Sequence, residues 1–112
     1  MQKNSKVKHT DNAKRIASEN RRKNRLNSIK NELEAGRIHS FDQIFAIISE
    51  TRMSIELGLS FYAFRRKVTD PGEFTINELL SMAALFGVKY EIINAFIFER
   101  LKARSKSRLL RE

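Results

Sequence analysis

From residue 26 to residue 101, apolar residues recur mostly at three- or four-residue spacing, and single glycines at 36, 58, 72 and 87 break the pattern into short lengths. That spacing is the period of a helix, and a glycine closing a periodic segment is a stop signal. Strand signals are weak: no valine-rich alternating run is present, and no two-residue hairpin turn joins two apolar segments. An all-α fold is expected. Leu26, Ile29 and Leu33 predict a first helix over 19–35, stopped at Gly36. Ser40 with Gln43 is a capping box, opening a helix that buries Phe41, Ile44, Phe45 and Ile48. About one and a half turns follow from Thr51 to Leu57, with Met53 and Leu57 inward. Gly58 ends that piece and Ser60 caps the next, which runs to about Val68. In "DPGE", Pro71 fixes φ and Gly72 permits a positive φ, so the stretch reads as a turn. Thr75 with Glu78 is a second capping box, for a helix burying Ile76, Leu79, Leu80, Ala83 and Phe86. A last helix starts near Lys89 and continues past Leu101.

A chain of 112 residues has room for one small domain with tails. The net charge of +9 is divided unevenly. Residues 1–40 carry 11 Lys/Arg and 4 Asp/Glu, residues 41–98 carry 5 and 7, and residues 99–112 carry 6 and 2, giving +7, −2 and +4. A nearly neutral centre thus lies between two basic ends. Basic ends attract polyanions through charge and counterion release, which directs attention to nucleic acid. Residues 1–18 are polar, basic and almost without apolar side chains, and are expected as a disordered arm. The domain is then 19–101, and 102–112 is a basic C-terminal tail. Cysteine is absent, which removes disulfides and thiolate metal sites and fits a reducing cytosol. The N-terminus lacks a signal-peptide apolar run, and no stretch approaches the ~18 apolar residues that span a bilayer. The expectation is a soluble cytoplasmic protein with no membrane contact.

Enzyme chemistry has little support. His9 and His39 are far apart and lack companion ligands at metal-binding spacing, the glycines form no phosphate-cradling loop, and no nucleophile–base pair stands out. No catalytic residue, metal or cofactor is expected.

The segment "IELGLSFYAFRRKVTD", residues 55–70, sets three aromatic residues beside three adjacent cations. On a helical wheel Phe61, Phe64 and Val68 fall on one side, while Tyr62, Arg65, Arg66 and Thr69 fall on the other. The first set suits a core and the second suits a polyanion. Ser54, four residues before Gly58, is small enough to let two helices cross closely. Short helices with a sharp glycine turn between the third and fourth form a helix-turn-helix pattern. "TRMSIELGLSFYAFRRKV" followed by "DPGEFTINELLSMAALFGV" resembles the lambda-repressor-like, Cro-type (XRE) helix-turn-helix domain. More narrowly, residues from "GRIHSFDQIF" onward are similar to small Bacteroides-type regulators, and the likeness covers about residues 26–101.

That resemblance implies a five-helix fold, binding to specific sequences of double-stranded DNA, usually as a dimer, and a role in transcription control. Its groove-facing positions fall on Ser60, Phe61, Tyr62, Arg65, Arg66 and Thr69. The sequence departs from the family at Ser54, Ile55 and Lys67, and at Phe61 and Tyr62, where many members carry polar residues. Phe61 either completes the core or touches thymine methyl groups; Tyr62 bonds a phosphate or a base. Arg65 and Arg66 present donor forks that match guanine or phosphate, unless they pair with Glu56 or Asp70. Arg52 and Lys67 flank the groove as phosphate-binding candidates.

The final apolar stretch, "IINAFIFERL", covers most of a helix circumference, more than one small core is expected to bury. It predicts a homodimer through the C-terminal helix, using some of Ile93, Phe96, Ile97 and Leu101. Two other readings stay open. "AKRIASENRRKNR" is an arginine-rich stretch of the kind that folds on RNA. Alternatively, the chain is an antitoxin-like protein-interaction module.

Overall fold

The computed structural model describes the backbone of residues 2–111 and the side chains of residues 12–103. The chain forms α1 (Gln2–Glu34), α2 (Phe41–Phe45), α3 (Glu50–Glu56), α4 (Phe61–Thr69), a 3-10 turn (Pro71–Glu73), α5 (Ile76–Phe86) and α6 (Tyr90–Arg111). Among the described residues there is no strand, and there are six α-helices where the family resemblance implied five.

Most helix boundaries follow from local chemistry. The Ser40 side chain accepts from the Gln43 N–H while the Gln43 side chain accepts from the Ser40 N–H. Thr75 and Glu78 make the same reciprocal pair at the start of α5. Each box satisfies two N–H groups that a helix start otherwise leaves without partners. "DPGE" departs from expectation: Gly72 does not take a positive φ, and Pro71 instead opens the 3-10 turn with its ring buried. Leu101 of α6 lies over Gly72, where an added Cβ would meet its Cδ2 at 3.5 Å.

The core gathers residues from every helix. Ile29, Ile44, Met53, Phe64, Met82 and Ile93 are its most deeply buried apolar side chains, with Phe86 beside them. Phe41 packs its ring against Phe45, Phe74 and Phe96, and Phe64 packs against Phe45 and Phe74, with centroids 5.1–6.2 Å apart. These are the offset and edge-on separations that aromatic quadrupoles favour. Phe45 and Leu57, expected inside, are partly buried against this cluster. On α5, Ile76 and Leu80 are exposed rather than buried, and Met82 is buried instead. The inward stripe runs through Leu79, Met82, Ala83 and Phe86, which turns Ile76 and Leu80 to its edge.

Both ends differ from the expected arms. Helix α1 starts at Gln2, where residues 1–18 were expected to be disordered, and α6 carries the expected tail as helix to Arg111. Residues 12–20 are exposed throughout, and packing of α1 begins only at Leu26, Ile29 and Leu33. The first 18 residues contain neither glycine nor proline. Once the buried end of α1 is nucleated, extending the helix through such a sequence costs little. The projecting helices give a radius of gyration of 17.8 Å and a longest extent of 72 Å. A compact chain of this length would have a radius of about 13 Å.

Helix α6 also meets a different fate from the one expected. Ile93, Phe96 and Ile97, expected at an interface between subunits, are buried in the chain's own core, and Leu101 packs against it. Helix α5 and the 3-10 turn pack along α6, and Phe41 meets Phe96 edge-on at 5.1 Å, so the chain's own elements absorb the apolar surplus. Among the described residues of α6, Phe98 is the large apolar side chain left outside, 58% exposed, with the Lys102 ammonium 5.7 Å from its ring. No single helix among the described residues is long and apolar enough to cross a membrane. Helices α5 and α6 reach that apolarity only together, across a 119° bend, and bury the apolar residues named above.

Candidate nucleic-acid interface

Helix α3 is capped by Ser49, whose hydroxyl accepts from the Arg52 N–H at 3.0 Å. It ends where Leu59 N–H reaches back to the Ser54 carbonyl at 2.9 Å and Gly58 N–H reaches Ile55 at 3.0 Å. That closure puts Gly58 at φ 69°, a left-handed conformation that costs other residues about 1 kcal/mol or more. Two residues later the Ser60 hydroxyl accepts from Ala63 N–H at 3.1 Å and starts α4. Ser54 is buried against this turn, its hydroxyl donating to the Thr51 carbonyl at 2.6 Å. The two helices are therefore joined by a four-residue connection with little freedom.

Phe64 fixes the rotation of α4. Its ring is fully buried between Phe45 and Phe74, so the opposite side of the helix must face outward. On that side Phe61, Tyr62, Arg65, Arg66 and Thr69 line one open depression of about 460 Å³. These are five of the six positions expected to face a groove. Tyr62 is 88% exposed and Phe61 40%, so Phe61 does not complete the core. Instead its ring lies 5.9 Å from the Arg65 guanidinium carbon, close enough for the ring face to attract the cation. Ser60, the sixth position, is the N-cap and does not line the depression. Thr69 donates from its hydroxyl to the Arg65 carbonyl at 3.0 Å.

The cations separate into different roles. Arg65 makes no ion pair among the described residues. Arg66 lies 3.2 Å from Glu73, not from Glu56 or Asp70, with both side chains well exposed. An exposed pair of this kind is worth about 0–1 kcal/mol and does not hold the guanidinium back from a better partner. Lys67 leaves the groove altogether. Its ammonium donates to both Glu78 oxygens at 2.6 Å, and the two side chains are 12% and 16% exposed. Burial pushes the Glu78 carboxyl up, but hydrogen bonds from Lys67 and Thr75 and the Lys67 charge outweigh it, and its pKa lies below the ordinary value. A lysine engaged in this way is not available to a phosphate. Arg52 does not join the α4 face either. It lines a second cleft, of about 170 Å³, with Ser18, Glu19, Arg22, Arg25 and Ile48.

Arg22 and Arg25 were not among the candidate residues, although the arginine-rich run around them was visible as a possible RNA-binding arm. Arg22 Nε donates to Glu56 in the last turn of α3, a contact across 34 residues. Nothing in the local sequence signals it. His39 is exposed, and the His9 side chain lies outside the described residues. No group of three or more His, Asp or Glu side chains among the described residues is placed to hold a metal ion. In comparison with known proteins, the chain matches no family model, no curated protein and no solved structure.

Proposed function

We propose that the protein is a sequence-specific DNA-binding transcription regulator in which α3, the Gly58 turn and α4 act as a helix-turn-helix. The observation that carries this reading is the α4 face: Tyr62, Arg65, Arg66, Thr69 and Phe61 share one open side while Phe64 anchors the other. An α-helix presented in this way fits the major groove, where base edges carry a distinguishable pattern of donors and acceptors. Arg65 is the principal base reader, its donor fork matched to guanine O6 and N7. Arg66 exchanges Glu73 for a base or phosphate. Tyr62 reaches a phosphate or base edge with its hydroxyl, and Phe61 packs on a thymine methyl while steadying Arg65. Ser60 acts by setting where the helix begins. The rigid turn supports the reading because groove docking needs a recognition helix held in one orientation.

A homodimer would place two such helices about one DNA turn apart, ~34 Å. With Ile93, Phe96 and Ile97 in the core, an α6 contact would have to be made by Phe98 and its neighbours. Selection of bound sequences from a random duplex pool tests the reading. The expected result is enrichment of a short motif, repeated as a palindrome at that spacing if the dimer forms. Recovery of unenriched sequence, with tight binding to an RNA hairpin, would favour the arginine-rich helix as an RNA binder and reject α4 as the reader.

A further inference from the structure

The α4 face alone is poorly supplied with charge. Residues 41–98 have a net charge of −2, Lys67 is engaged by Glu78, and Arg66 has Glu73 beside it. Affinity for nucleic acid depends heavily on the number of phosphates neutralised, so the missing cations must come from another element. Helix α1 holds them. Residues 12–25 include Lys14, Arg15, Arg21, Arg22, Lys23 and Arg25 against one acid, Glu19. They lie on a continuous helix, and residues 12–20 of it are exposed throughout.

One place on that helix is more than a charged surface. The cleft of about 170 Å³ between α1 and α3 brings Arg22 and Arg25 together with Arg52, with Ser18 and buried Ile48 among its walls. Three arginines against Glu19 give this lining a net charge of +2. Glu19 and Glu56 both bond Arg22, which fixes its position and ties α1 to the last turn of α3. Arg25 and Arg52 make no ion pair among the described residues. Two guanidinium groups from different helices thus share one recess with no ion pair of their own, its one carboxylate, Glu19, being bonded to Arg22, and each presents the planar donor fork that grips phosphate oxygens two at a time.

Resting on the reading of α4 given above, we propose that this cleft is a phosphate-binding site that seats one backbone phosphate of the DNA duplex. Arg25 and Arg52 grip the phosphate, and Arg22 holds the two helices in register. Because Arg22 is bonded to Glu56, four residues before the Ser60 cap, the seated phosphate and α4 belong to one rigid unit. The basic N-terminal half of α1 then runs on from that anchor along the same backbone.

The test uses the full chain, a selected-site duplex, a random 20-base-pair duplex and an RNA hairpin, titrated by fluorescence anisotropy over a range of salt concentrations. In Arg25→Gln/Arg52→Gln, both duplexes should weaken by similar factors. The log–log salt dependence should flatten by about 0.9 for each phosphate that is no longer neutralised. The ratio between the selected and random duplexes should not change. An unchanged salt slope on both duplexes overturns the proposal. So does a weakening confined to the hairpin, which would make the cleft an RNA site. If melting shows that the double variant is destabilised, the single variants Arg25→Gln and Arg52→Gln are read the same way. Failure of the α4 reading looks different: the wild type would lack any site preference, while the slope change on the random duplex would still report the cleft.

Discussion

Lys67 and Arg65 are two positions apart on α4, yet their surroundings separate them. Lys67 lies over the start of α5, where Glu78 is already held by the Thr75 cap, and the ion pair that results joins α4 to α5. Removing one partner from a half-buried pair leaves a charge with its hydrogen bonds unmet, at a cost of about 1–3 kcal/mol. Lys67→Met should therefore lower stability by that amount in chemical denaturation while leaving DNA affinity nearly unchanged. A large drop in affinity at unchanged stability would return Lys67 to the groove. The pH dependence has a definite sign. The Glu78 carboxyl is depressed below its ordinary value of 4.5 in the folded chain. Its contribution is present above that value and is lost as the pH falls through the lower, folded one. The melting temperature of Lys67→Met should fall less steeply below pH 4.5 than that of the wild type. The sequence marked Lys67 as a departure from the family pattern but gave no sign of its partner, because Lys67 and Glu78 are 11 residues apart and meet only through the packing of two helices.

Among the helices, what was legible was what is decided locally. Ser40–Gln43, Thr75–Glu78, the Ser60 cap and the Gly58 turn each involve residues within a few positions of one another, and each forms where the sequence indicates. The wheel of α4 was also legible for Phe64 and Tyr62, because apolar and polar residues separate cleanly there. It failed for Phe61, whose placement at the rim depends on how far the core extends beneath the first turn. On α5 nearly every residue is apolar, so periodicity alone could not choose Met82 over Leu80. These differences bear on mutation. Phe64→Ala should cost about 3–5 kcal/mol, as expected for a fully buried phenylalanine. Ser60→Ala should cost about 1 kcal/mol by removing the cap. A cost for Phe64→Ala below about 1 kcal/mol would mean that α4 is not anchored as described, and the rotation of its outer face would fall with it.

At the scale of the whole molecule, a nearly neutral domain between two basic ends holds for charge but not for form. Both ends are helical, and α1 contributes both a wall of the core and a basic projection. The length of α1 was illegible because residues 1–18 show no apolar period; their helicity follows from what lies after them. The burial of Ile93, Phe96 and Ile97 was missed for another reason: it depends on how α6 packs against α5, the 3-10 turn and Phe41, which the local pattern of α6 does not reveal. Deleting residues 1–18 should leave the melting temperature almost unaltered, because the buried positions of α1 begin at Leu26. It should weaken selected and random duplexes alike and flatten the salt dependence, since five cations and one acid are removed. Disappearance of site preference on that deletion would instead move the reader to the arm.

The decisive measurement is a titration of Arg65→Ala against a selected duplex and against a random one at a single salt concentration. Arg65 makes no ion pair among the described residues, and its alanine variant should fold normally. The selected duplex should bind more weakly by about 1–3 kcal/mol, with relaxed preference at one base pair, while binding to the random duplex changes much less. Equal weakening on both duplexes, with the preferred sequence unchanged, would contradict the account, because Arg65 would then touch only phosphate and α4 would not read the bases.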